Sequence, residues 1–170
     1  MLMKLMKRYG IWYRSILTVS FSLCLIFSQA SLHHEEFNAS AYYKAIQFDN
    51  LDEIDSQLLK IKEITSLDTE AYEGALLMKK AGLIKRPKDK MNLFKVGHQK
   101  LESAISKNKG NIEYRLLRLI IQEHAPKVVK YHSEIEEDCI IIRSNFKSLS
   151  LILQQIVFSY SKKSSVLKLS

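Results

Sequence analysis

Four side chains carry the clearest chemical capability in this sequence: Arg115, Arg118, Gln122 and Glu123. Arg115, Arg118 and Gln122 recur at helical spacing, so a helix through this stretch lines them up on one narrow strip. Two guanidinium groups one turn apart can grip a carboxylate or phosphate through paired N–H donors. The strip, with Glu123 beside it, is therefore the expected binding surface. An arginine this close to an apolar core needs a counter-charge. The competing expectation is that Glu113, Glu136, Glu137 or Asp138 supplies it from within the fold.

Two other groups have the right atoms. His132, Glu136, Cys139 and Arg143 fall at i, i+4, i+7 and i+11 if one helix carries them all, and three of these could ligate a metal or form a Cys–His pair. Yet Cys139 also continues an apolar stripe with Tyr131, Ile135, Ile142 and Phe146. In such a stripe a cysteine is an inert small hydrophobe. The remaining group depends on processing. A chain cleaved after Ala30 begins Ser31-Leu32-His33, with His34, Glu35 and Glu36 following. Its amine, two backbone nitrogens and the His33 imidazole can hold Cu(II) or Ni(II) in the square-planar geometry those ions prefer. A cleavage site shifted by one residue would abolish that site. The sequence has no P-loop, GxSxG or HExxH motif. No catalytic residue and no cofactor is expected.

The elements that must position these groups are helices. Residues 101–126 end one amphipathic helix, turn through Asn108-Lys109-Gly110-Asn111, and begin another that is apolar on nearly every side. In the second, Tyr114, Leu116, Leu117, Leu119, Ile120 and Ile121 leave only the Arg115–Arg118–Gln122 line polar. Such a helix belongs in the middle of a core. Around it the 3.6-residue pattern predicts helices over 39–48 (capped by Asn38), 51–64, 69–84 (capped by Ser66 or Asp68), 88–107 and 126–145. A last helix, capped by Ser148, runs to about 163, and 164–170 is a frayed end. Gly74 and Gly82 lie inside the 69–84 helix, where each costs roughly 1 kcal/mol relative to alanine. Close approach of a neighbouring helix would offset that cost.

Residues 1–30 read as an export signal. Lys4, Lys7, Arg8 and Arg14 precede the 13-residue apolar run 15–27, and Ser28-Gln29-Ala30 supplies small residues for cleavage. The alternative is an uncleaved N-terminal anchor, and only then is a membrane expected as a partner. The helical domain spans 31–163, about 140 residues with the tail, enough to bury roughly 70% of its unfolded surface. Without residues 1–30 the formal charge falls from +8 to +4, with 22 basic and 18 acidic residues. That excess is small, no nucleic-acid motif is present, and no nucleic acid is expected. Cys139 is then the only cysteine, so no internal disulfide can form.

Gly97, Leu101 and Ala104, followed by the Asn108–Asn111 turn and Ile112-Glu113-Tyr114, resemble the second helix and turn of a tetratricopeptide repeat. Lys109 stands where that family prefers proline, Gly110 loosens the turn, and no 34-residue period recurs. The resemblance, over about 30 residues, implies a degenerate, TPR-like array of antiparallel helical hairpins. More broadly, AYEGALLMKKAG and EYRLLRLIIQEHAPK resemble segments of small exported helical proteins of Gram-negative bacteria, which bring no known activity. The expectation is an all-α, right-handed array of about seven helices. Its expected role is an exported, non-enzymatic binding or scaffolding module in the periplasm or envelope, with a protein or peptide partner. A metal-handling protein or enzyme using the His132/Glu136/Cys139 face or the Ser31 terminus is the alternative.

Overall fold

Short polar side chains start the helices where the backbone would otherwise leave amides unpaired. Asn38 accepts from the Ala41 amide at 3.0 Å and opens α1 (Ala39–Gln47). Asn50 does the same for Glu53 at 3.1 Å and opens α2 (Leu51–Glu63). α3 (Thr69–Leu83) follows, and its expected caps, Ser66 and Asp68, lie outside the residues that the computed structural model describes, 37–64 and 69–169. Pro87 takes the first position of α4 (Pro87–Lys107), where its missing amide hydrogen costs nothing. Asn111 accepts from both Glu113 and Tyr114 amides, at 3.0 and 3.2 Å, and opens α5 (Ile112–His124). α6 (Ile135–Asn145) and α7 (Leu151–Ser161) complete the fold, with single 3₁₀ turns at Lys127–Val129 and Phe146–Ser148. Among the described residues there is no strand, and the fold is all-α with seven α-helices.

α5 is central. Every residue from Tyr114 to Gln122 is buried, polar line included, and α5 packs against α3, α4 and α6. The α3–α4 pair makes the most extensive contact among the described helices. Its crossing is backbone to backbone: a Cβ added to Gly74 would lie 2.6 Å from the Gly97 carbonyl oxygen, and one on Gly97 would lie 2.5 Å from that of Gly74. Gly82 faces open space, so close approach accounts for one α3 glycine and not the other. Phe37, Tyr42, Tyr43, Tyr72 and Tyr114 form an aromatic cluster around α1, with edge-to-face contacts such as Tyr42–Tyr72 at 5.2 Å. Interhelical ion pairs, Lys79–Asp49, Lys80–Asp55, Lys100–Glu73 and Lys107–Glu70, tie α3 to its neighbours. Consecutive helices stack as far as α6, whereas α7 turns back to pack on α1 and closes the array.

Three sequence expectations change. Residues 126–145 do not form one helix. Pro126 precedes a single 3₁₀ turn, Lys130 adopts the left-handed conformation (φ 51°), and the helix starts only at Ile135. A left-handed residue ends a helical run because its backbone points the next amide away from the helix axis. The cap of the last helix is Ser150, whose hydroxyl accepts from the Leu153 amide, while the Ser148 hydroxyl donates back to Asn145. Finally, the end expected to fray is docked. Leu167 is fully buried, and the Ser164 hydroxyl accepts from the Val166 and Leu167 amides.

Candidate functional site

The Arg115–Arg118–Gln122 line faces into the fold, where carboxylates from two other helices meet it. Asp138, completely buried on α6, is the focus. Its Oδ2 accepts from Arg118 Nε at 2.7 Å, and its Oδ1 accepts from Arg118 Nη2 at 2.8 Å. That is the two-pronged pairing for which a guanidinium is shaped. Asp138 Oδ1 also accepts from Arg115 Nη1 at 2.9 Å. Arg115 also donates to Glu137 Oε1, at 3.1 Å, and to the Lys109 carbonyl, at 3.2 Å. Arg118 Nη1 donates to Glu102 Oε2 at 3.1 Å, and the other Glu102 oxygen accepts from the Tyr131 hydroxyl at 2.5 Å.

Two cations thus meet three carboxylates, leaving no positive charge for an incoming anion. Burial opposes the charge on Arg118, but the hydrogen bonds and charge of Asp138, helped by Glu102, outweigh it and hold the guanidinium more firmly protonated than usual. Burial and then the Glu102 bond push the Tyr131 hydroxyl upward, so it stays a donor. Of the internal counter-charges expected, Asp138 and Glu137 serve. Glu113 instead accepts from the Tyr43 hydroxyl at 3.1 Å, and Glu136 is exposed. Asp138 points inward, while its neighbours Glu136 and Glu137 are exposed. Glu102 is a partner that residue spacing did not reveal.

The other members of the strip are also engaged. Gln122 is fully buried, and its Nε2 donates to Glu134 Oε2 at 2.6 Å. Its Oε1 has no protein partner among the described residues. Glu123 turns from the arginines and binds the chain end: it accepts from Tyr160 at 2.5 Å, from the Ser164 and Ser165 hydroxyls at 2.7 and 2.8 Å, and from the Ser165 amide. The proposed contact surface is therefore an internal joint.

The His132/Glu136/Cys139 group is not assembled. His132 precedes α6, and its Nε2 donates to the Ala125 carbonyl at 3.0 Å. Glu136 is exposed, Cys139 is buried, and burial raises its thiol pKa. Arg143 donates to the Val166 and Lys168 carbonyls, both at 3.0 Å. Among the described residues no three His, Cys, Asp or Glu side chains converge as a metal would require. Residues 1–30 and Ser31-Leu32-His33, including the His33 ligand, lie outside the described residues. No protein family, curated protein or solved structure matches the chain.

Proposed function

We propose that the protein is an exported, non-enzymatic helical module of the cell envelope that binds or scaffolds a protein or peptide. The observation that carries this reading is the internal neutralisation of Arg115 and Arg118 by Asp138, Glu137 and Glu102. The side chains best equipped for ligand chemistry are spent on fixing α4, α5 and α6 against one another. A frame locked in this way presents its outer helix faces in constant relative positions, as a scaffold needs. The glycine-to-glycine crossing of α3 and α4, followed by the Asn108–Asn111 turn, supports the likeness to a degenerate TPR hairpin. Export rests on the basic start, the short apolar run and the small residues ending at Ala30.

Fractionation of the native host with intact-mass measurement tests the proposal. The expected result is a chain beginning at Ser31 in the periplasmic or envelope fraction, cross-linked to a partner that Cys139→Ala and His132→Ala still retain. A cytosolic chain beginning at Met1 overturns export. Loss of function in either of those two variants, with melting temperature unchanged, overturns the non-enzymatic role.

A further inference from the structure

α7 is unlike the other helices. Leu151–Ser161 contains no charged side chain, yet the helix lies at the surface. Its inner face buries Val157 and Tyr160, while its outer face leaves Leu151 77%, Ile152 55% and Phe158 50% exposed. Leu151, Gln155, Phe158 and Lys162 follow one another at i, i+4, i+7 and i+11, with Ile152 and Ser159 alongside. A helix apolar on both faces is normally covered on both, and here no element among the described residues covers the outer face.

The sequence that carries this face is basic. From Cys139 onward the sequence carries Arg143, Lys147, Lys162, Lys163 and Lys168 and no aspartate or glutamate. The lysines sit directly on the exposed rings. Lys162 Nζ lies 4.3 Å from the Phe158 ring centre, and Lys163 Nζ lies 5.0 Å from that of Phe48, itself 53% exposed at the end of α1. The carboxylate beside Phe48, Asp49, is paired with Lys79 at 2.7 Å. Glu123, which reaches this end of the molecule, is occupied by Tyr160, Ser164 and Ser165.

Shape selects the occupant. The face is a ridge with protruding side chains, and the depression beside it among the described residues, between Leu116 and Leu153, is a shallow, half-open dent that encloses no cavity. A helical peptide partner needs a groove, and a second copy seated ridge to ridge would bring the Lys162 and Lys163 ammonium groups of both copies together. An apolar ridge rimmed by lysines fits a lipid interface, where the side chains enter the acyl boundary and the ammonium groups stay among anionic headgroups. No helix among the described residues is long and apolar enough to cross a membrane, so the contact is one of lying on the surface. We propose that the α7 face, Leu151, Ile152 and Phe158 with Lys162, Lys163 and Phe48 at its rim, seats the protein on an anionic bilayer surface. This deepens the envelope reading and rests on it only for bringing the chain to a membrane.

The full chain with Trp12→Phe and Phe158→Trp carries its one indole on the ridge. It is titrated with phosphatidylcholine vesicles, with and without phosphatidylglycerol, carrying brominated acyl chains. The expected result is blue-shifted, bromine-quenched emission on the anionic vesicles alone. Adding Lys162→Gln and Lys163→Gln should weaken binding about tenfold or more, and Leu151→Asp should abolish the insertion without changing the melting temperature. Indole emission that remains water-like overturns the inference, even if the chain sediments with vesicles through another segment. So does self-association that Leu151→Asp dissolves, or emission insensitive to lipid charge. Ridge insertion by a protein that fractionates with the cytosol would sink the envelope reading and leave this contact standing. An envelope protein whose indole stays in water would do the reverse.

Discussion

Asp138 is the residue on which the polar interior depends. It takes three N–H bonds from two arginines with no exposure to water, so its charge is balanced only by those partners, and theirs largely by it. Asp138→Asn keeps the shape and removes the charge, leaving two buried cations facing an amide. The expected loss is about 3–5 kcal/mol, read as a lower urea midpoint. Glu137→Gln alters a partner whose side chain is 59% exposed, and should cost less than about 1 kcal/mol. Equal losses in the two variants would show that the cluster does not centre on Asp138. The sequence exposed part of this arrangement. A polar line on an otherwise apolar helix demands a counter-charge, and Asp138 and Glu137 were among the four residues able to supply one. Glu102 was not legible, because its reach to Arg118 depends on how α4 crosses α5, which helical spacing does not encode. The same holds for Glu123, adjacent to Gln122 in sequence but turned toward the chain end.

The α3–α4 crossing sets the spacing of the hairpin that supports α5. A methyl group on Gly74 would meet the Gly97 oxygen at 2.6 Å and the Leu101 nitrogen at 2.7 Å, both backbone atoms that cannot swing aside. Gly74→Ala should therefore cost about 1–3 kcal/mol. Gly82→Ala meets nothing and should gain about 0.5–1 kcal/mol by making the helix less flexible when unfolded. Thermal melts of the two variants should move in opposite directions, and a harmless Gly74→Ala would mean that the helices are further apart. Element positions were largely readable from period and caps, since Asn38, Pro87 and the Asn108–Asn111 turn mark boundaries by local chemistry. The 126–145 region was not, because Tyr131, Ile135, Cys139 and Ile142 keep an apolar rhythm across a turn. Nothing in composition marks Lys130 as left-handed, a conformation usually taken by glycine or asparagine.

Across the whole molecule, Glu123 fastens the segment after α7 to the central helix. Burial alone would raise its pKa, but the hydrogen bonds from Tyr160, Ser164 and Ser165 outweigh burial and hold it below the usual value of 4.5. A carboxylate depressed in the folded state stabilises fully above its unfolded value, and that contribution is lost as pH falls through the folded one. Amide exchange at residues 164–169, corrected for intrinsic rates, should accelerate as the solution is acidified below pH 4.5, while α3 and α4 stay protected. Glu123→Gln should speed the same amides at neutral pH and flatten the acid response. Unchanged exchange in that variant would mean that Leu167 burial alone holds the segment. The clamp also orders events in time. Glu123 leaves the ribosome 41 residues before Ser164, so α5 is made well before the groups that anchor its far end exist. The hairpin of α3 and α4 joins neighbours in sequence, whereas the Glu123 clamp waits for partners about 40 residues further along the chain.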